Sequence, residues 1–164
     1  MFVHKPRNSV HEHPPETVRF YAGEFGYCFS NFSAFAVEWN GRAWPTSEHA
    51  YQAAKFDDPA IVEAIATAPS AHAALKLAEV HAASIRPSWP EEKRAVMKEI
   101  CRAKLDQHEY VQRTLERSGN TPLVEDSPKD SYWGCGADGN GENHLGVIWM
   151  ELREELRPEP AVSE

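Results

Sequence analysis

Apolar residues recur at helical spacing through most of this chain, and each recurrence is bracketed by start and stop signals. Leu145, Ile148, Trp149, Leu152 and Leu156 share one helical face after Asn143, and Pro158 stops the run. Met97, Cys101 and Leu105, broadened by Val96 and Ile100, form another stripe behind Ser88-Trp89-Pro90-Glu91, a capping-box pattern. Thr46 is the expected N-cap of a helix running to about Phe56. Asp58-Pro59 and Ser70 open two more, and a further helix over about 109–117 ends at Gly119. Strand patterning is confined to residues 17–22 and to the two sides of Asn40-Gly41, a pair suited to the positive φ of a tight hairpin turn. The expectation is an α+β fold: a helix-dominated single domain over 17–157 with a small antiparallel β-sheet. A flexible N-terminal arm over 1–16 and a flexible tail over 158–164 are expected to flank it.

Charge and composition narrow the function classes. Lys and Arg total 17 against 25 Asp and Glu, a formal charge of -8. So acidic a chain is a poor general DNA-coating protein, although one basic pocket can still hold a phosphorylated ligand. No apolar run approaches the ~18–20 residues that span a bilayer, so no membrane partner is expected. The N-terminus lacks the apolar core of a signal peptide. Cys28, Cys101 and Cys135 are few and far apart. Reduced thiols and a cytoplasmic location are the expectation. The eight histidines form no metal-ligand pattern.

Three stretches carry candidate chemistry. In WPTSEHAYQAAKF at 44–56, Glu48, Gln52 and Lys55 stand at i, i+4 and i+7, one face of a helix. A carboxylate and an amine so placed suit acid–base or covalent amine catalysis. Charges that simply suit the two helix ends give the same pattern. In the glycine-rich stretch at 123–143, residues 134–139 match G-x-G-x-x-G literally. Too little chain follows for a dinucleotide-binding βαβ unit. Gly134 and Gly136 instead allow close backbone approach or tight turns, and the loop feeds a helix N-terminus at Asn143, a place suited to an anion. Asp130 and Trp133 suit a ribose hydroxyl and a stacked base, or a surface turn with a packing Trp. Phe29, Ser30, Asn31 and Phe32 suit a nucleobase pocket or a core-facing turn. Arg86 and Trp89 suit phosphate and base contacts, or capping and packing. Lys104, at the edge of its helix stripe, reads as a snorkelling side chain or a phosphate contact.

Taken together, these stretches resemble the NADAR (YbiA-like) family. The matching segments are FSNFSAF at 29–35, WPTSEHAYQAAKF at 44–56, Arg86 with Trp89, VM at 96–97, AK at 103–104, LVEDSPKDSYWGCGADGNGENHLG at 123–146, and Met150 with Arg153. They cover about residues 20–156 in the expected order. Leu105, Ser88 and Trp149 depart from the usual Phe, Asp and Leu. The resemblance implies a helix-dominated α+β fold and N-glycosidase activity without metal or redox cofactor. Its implied substrates are phosphorylated ribosylamino-pyrimidine intermediates of riboflavin biosynthesis, or ADP-ribosylated guanine. The latter is free or met through a local contact with modified nucleic acid, since one flipped base needs a small footprint. Carried onto matching positions, Lys55 is the candidate amine and Glu48 its proton-transfer partner. Asp130 holds ribose hydroxyls or aids proton transfer, Glu125 is a further acidic candidate, and Trp89, Trp133, Phe29 and Phe32 shape the base or sugar site. A non-catalytic ADP-ribose or NAD-binding module is the alternative, against which the intact Glu48/Lys55 face argues.

Overall fold

The structure, a computed structural model, describes residues 16–21 and 25–161. The arm expected over 1–16 lies outside the described residues except for Glu16, as do Ala22 of the expected first strand and residues 162–164 of the tail. The elements are β1 (Val18–Arg19), β2 (Val37–Trp39), β3 (Arg42–Trp44), α1 (Ser47–Ala53), α2 (Pro59–Ala66), α3 (Ala71–Val80), α4 (Trp89–Gln107), α5 (Glu109–Arg117), β4 (Leu123–Val124) and α6 (His144–Glu155). Short 3₁₀ turns cover Tyr27–Phe29 and Ala82–Ser84.

The antiparallel part of the β-structure is the hairpin β2–β3, with Asn40 and Gly41 at φ 51 and 76 at its turn. That is the positive-φ pair a tight hairpin requires. A second, two-residue ladder pairs β1 with β4 in parallel, Val18 opposite Leu123. No periodicity in two residues announces such a strand. It is defined by its partner across the fold, and the expected 17–22 strand shortens to the length of that partner.

Three helix starts, those of α1, α2 and α3, have a side-chain cap, and α4, α5 and α6 do not. Thr46, Asp58 and Ser70 accept hydrogen bonds from His49, Ala60 and Ala73 N–H groups. The capping box at Ser88 does not form. Its backbone is already helical (φ -78, ψ -7) and its side chain makes no capping bond. The Trp89 N–H bonds Arg86 O at 3.1 Å, so the chain turns tightly into Pro90 and leaves Ser88 out of the extended conformation a box needs. Helix α1 also stops sooner than the pattern suggests. After Ala53 the Lys55 and Phe56 N–H groups bond three residues back, to Gln52 and Ala53, and Asp58-Pro59 follows.

The core gathers on α4, which packs on α1, α5, α6 and β2. Met97, Ile100, Cys101 and Leu105 are buried from α4, and Ile148, Trp149 and Leu152 from α6. Trp149 lies against Phe29 at 5.1 Å between ring centroids and donates its indole N–H to Phe29 O at 3.0 Å. Phe29 meets Phe20 edge to face at 5.8 Å. No helix among the described residues is long and apolar enough to cross a membrane.

Candidate active site

Three segments converge on one cleft of about 710 Å³: the 30–32 stretch, the end of α1 with the turn after it, and the loop over 125–133. Ser30, Asn31, Phe32, Glu48, Gln52, Lys55, Glu125, Asp130 and Trp133 all line it. Of the residues expected at the site, these nine come together.

Glu48 sits in the buried first turn of α1 and accepts a bond from Gln52 Nε2 at 2.7 Å. Burial pushes its carboxyl up to about 6, against hydrogen bonds from Gln52 and Asn31 and the charge of Lys55. Lys55 lies beyond the helix, in the turn, a correction to the reading that placed it on the α1 face. Its carbonyl accepts the Arg86 N–H at 3.0 Å, which fixes the turn, and its Nζ lies 5.1 Å from the Tyr51 ring centroid. Burial, aided by Lys93, holds the ammonium below its ordinary value, while Glu48, Glu79 and Asp130 oppose the shift. Asp130 folds its own loop: Oδ1 accepts from Tyr132 N at 2.9 Å and Trp133 N at 2.8 Å. Trp133 in turn donates its indole N–H to Tyr51 Oη at 3.1 Å, which ties the loop to α1.

The remaining expected residues serve the site from behind or lie apart from it. Phe29 is fully buried in the core, because its ring completes the Phe20–Trp149 cluster. Trp89 is buried against Tyr51 at 5.4 Å and supports the wall without lining the cleft. The Arg86 guanidinium is held by Glu92 at 2.5 Å and Asp57 at 3.8 Å, so it is no free phosphate contact. Gly134, Gly136 and Asn143 do not line the cleft either. Asn143 takes a left-handed conformation (φ 51) and spends its side chain on the backbone of Leu123 and Glu125, so it is no anion site.

Lys104 overturns both of its readings. It is fully buried, and its Nζ donates to Ser30 O at 3.0 Å and Ser33 Oγ at 2.8 Å, pinning the 30–33 turn from the core side. Burial pulls its ammonium down to about 8. The unfolded chain holds this proton up to about 10.5, so between the two values it binds more protons than the native state. Stability from this residue therefore rises as pH rises from about 8 to 10.5. The difference in urea midpoint between wild type and Lys104→Met is expected to shift in favour of wild type across that window. A pH-independent difference would show that Lys104 is not buried charged.

Tyr21, Tyr27, Tyr51, His72, Lys76, Glu79, Ser127 and Lys129 also line the cleft, unanticipated. Tyr51 carried a signal, three residues after Glu48 in α1. His72, Lys76 and Glu79 repeat the i, i+4, i+7 spacing, but on an exposed helix such a stripe is indistinguishable from a solvated face.

The polar atoms of the cleft are incompletely satisfied. Five buried side-chain polar atoms among the described residues lack a hydrogen-bond partner, and three of them, Asn31 Oδ1, Gln52 Oε1 and Glu125 Oε2, belong to cleft residues. Buried polar groups are normally paired, so this concentration leaves the cleft with bonding capacity for a polar ligand or water. Glu48, Glu125 and Asp130 bring carboxyl groups to the cleft and Lys55 an amine; Trp133 and Phe32, the latter 40% exposed, bring aromatic rings.

Comparison with known proteins gives the family and the fold. The family model described as NADAR domain matches residues 19–157. N-glycosidase YbiA of Escherichia coli (strain K12) is 39% identical over 140 residues, 85% of this chain and 88% of that protein. The riboflavin biosynthesis protein VVA0006 of Vibrio vulnificus (strain YJ016) is 38% identical over 152 residues, 92% of this chain but 41% of that longer protein. The NMR structure of E. coli YbiA superposes with a TM-score of 0.77 at 38% identity, covering 86% of this chain and 85% of that one.

Proposed function

This chain belongs to the NADAR domain family, and from that premise we propose that it is an N-glycosidase hydrolysing the bond between ribose C1′ and an exocyclic amine nitrogen. The substrate class we assign is a phosphorylated ribosylaminopyrimidine of riboflavin synthesis, in line with the relative named for that pathway. The observation that carries the reading is the set of unpartnered buried polar atoms beside a lysine whose charge is destabilised by burial.

The chemistry follows from the substrate. A ribosylamine opens its ring to a C1′ imine, with a proton going to the ring oxygen. Neutral Lys55 Nζ adds to C1′ and the original amine departs with the C1′–N electron pair. The Lys55 imine that remains is hydrolysed by water to free sugar and free lysine. Glu48, near the midpoint between its two protonation states around pH 6, takes and returns the protons of Lys55 and water. Asn31 and Gln52 offer their unpaired oxygens to ribose hydroxyls, and Asp130 Oδ2, which makes no hydrogen bond among the described residues, takes another. No step needs a metal or a redox cofactor. ADP-ribose on a guanine amine presents the same C1′–N bond. The cleft's extension to the exposed rings of Tyr21 and Phe32 admits that larger substrate. A cytoplasmic site of action suits either substrate.

Incubation of the protein with each substrate separately, followed by mass spectrometry, tests the reading. Release of the amine base and the ribose phosphate is expected from the ribosylaminopyrimidine. Binding of both substrates without release of either base would leave the non-catalytic binding module as the better description.

A further inference from the structure

Glu125 is the cleft carboxyl to which no step has yet been assigned. It follows β4, is 9% exposed, lines the cleft, and its Oε2 has no hydrogen-bond partner. The surrounding chain is built to hold it there. Asn143 Oδ1 accepts from the Glu125 N–H at 2.9 Å, and Asn143 Nδ2 donates to Leu123 O at 2.9 Å, so one side chain clamps the end of β4. The Glu125 carbonyl accepts the Cys135 N–H at 2.9 Å. A Cβ at Gly134 would stand 2.7 Å from that carbonyl oxygen and 3.0 Å from Asp130 O. Gly134 is therefore the residue that lets the loop close on Glu125. Gly134 and Asn143, which do not line the cleft, act on it through this carboxyl.

We propose that Glu125 is the proton donor of the reaction, giving its carboxyl proton to the nitrogen that leaves C1′. The assignment rests on the N-glycosidase reading and adds a step to it. As the C1′–N bond breaks, its electron pair goes to nitrogen and the Glu125 proton neutralises the departing amine. The carboxylate so formed then takes a proton from the water that adds to the lysine imine, and the resting acid is restored. The titratable groups facing Glu125 are Asp130 of the loop, Glu48 of α1 and its neighbour Asp126; all are acidic. Lys55 faces Asp130 and Glu48 within the same cleft. Burial first, then these like charges, push the Glu125 carboxyl up to about 8. Glu48, at about 6, is ionised when Glu125 is still protonated. Two carboxyls separated in this way divide base and acid roles between them.

Two measurements test the assignment. In wild-type protein carrying ¹³C-labelled Glu carboxyls, one glutamate is expected to remain protonated at pH 7; its absence overturns the proposal. In kinetics, Glu125→Gln is expected to lose at least ~100-fold in kcat on the ribosylaminopyrimidine, the scale of general acid catalysis. On an N-ribosyl substrate whose leaving group is a strongly electron-poor aryl amine, which bears the electron pair with less help from a proton, the loss is expected to shrink to under ~10-fold. Equal losses on both substrates, or none on either, overturn the donor role while leaving the N-glycosidase reading intact. Failure of the wild type to cleave either substrate would overturn that reading and the donor with it.

Discussion

Lys55→Arg is expected to lose on the order of 10⁴-fold or more in turnover, the scale seen when the nucleophile of a covalent mechanism is removed. Arginine keeps the positive charge and the long stem but is never deprotonated in proteins, so it cannot form the imine. The position tolerates the change. Lys55 is only half-buried, it makes no ion pair within 4 Å among the described residues, and its backbone is fixed by Gln52 and Arg86 irrespective of the side chain. The reactivity of the native residue has a local cause. Its turn sits between the Tyr51 ring, the α3 stripe and Lys93, where the ammonium is poorly solvated and meets a like charge. The surrounding carboxylates Glu48, Glu79 and Asp130 oppose that shift, which suits a nucleophile that Glu48 helps to unload. Borohydride added during turnover is expected to leave a sugar-sized mass increase on Lys55 of wild type and none on the variant. Full activity in Lys55→Arg with no trapped adduct would make Lys55 a hydroxyl or phosphate contact. Carboxylate-assisted attack by water would then be the mechanism.

Glu48→Gln is expected to move activity and stability in opposite directions. Turnover falls by at least ~100-fold, because glutamine cannot take up the proton. Stability rises, and the sign follows from linkage. Burial raises the folded carboxyl to about 6, against 4.5 for a solvated one, so the native state binds the proton more tightly than the unfolded chain. The contribution of Glu48 to stability is therefore fully present below pH 4.5 and is lost as pH rises through 6. Above that the ionised, buried Glu48 destabilises the protein by about 2 kcal/mol, which the neutral amide avoids. The Gln52 Nε2–H still finds its acceptor, since the amide oxygen occupies the place of Oε1. Urea unfolding at pH 8 is expected to give a higher midpoint for the variant, and the advantage is expected to vanish at pH 4. A variant that is both active and no more stable at pH 8 would reduce Glu48 to a charge suited to a helix N-terminus.

Such opposed effects are the mark of a site held against local preference. The same holds for Glu125, an acid among acids, and for Lys104, a cation fixed in the core by two oxygen atoms of the turn that bears Ser30. Each is kept where it is by hydrogen-bonded backbone: the α1 cap at Thr46, the Asn143 clamp, the 30–33 turn.

What the sequence determined by itself was whatever depends on neighbours in the chain. The hairpin at Asn40-Gly41, the caps at Thr46, Asp58 and Ser70, and the apolar stripes of α4 and α6 are all local signals, and all are present. The long motifs around Glu48 and Asp130 likewise marked two walls of one cleft, and both walls line it. Tertiary structure alone decided the rest. The pairing of β1 with β4 joins residues more than a hundred apart, and two-residue strands have no period to read. The glycines at 134 and 136, Asn143, Arg86 and Phe29 have the composition of a ligand-contacting set. Instead Gly134 makes room for the Glu125 carbonyl, Asn143 holds the backbone of Leu123 and Glu125, Phe29 packs in the core, and Arg86 pairs with the Glu92 carboxylate. Lys104 shows the reason most directly: one position in a helix stripe separates a snorkelling lysine from a buried one. Only the packing of the 30–33 turn over α4 removes the water and supplies the two oxygens that replace it.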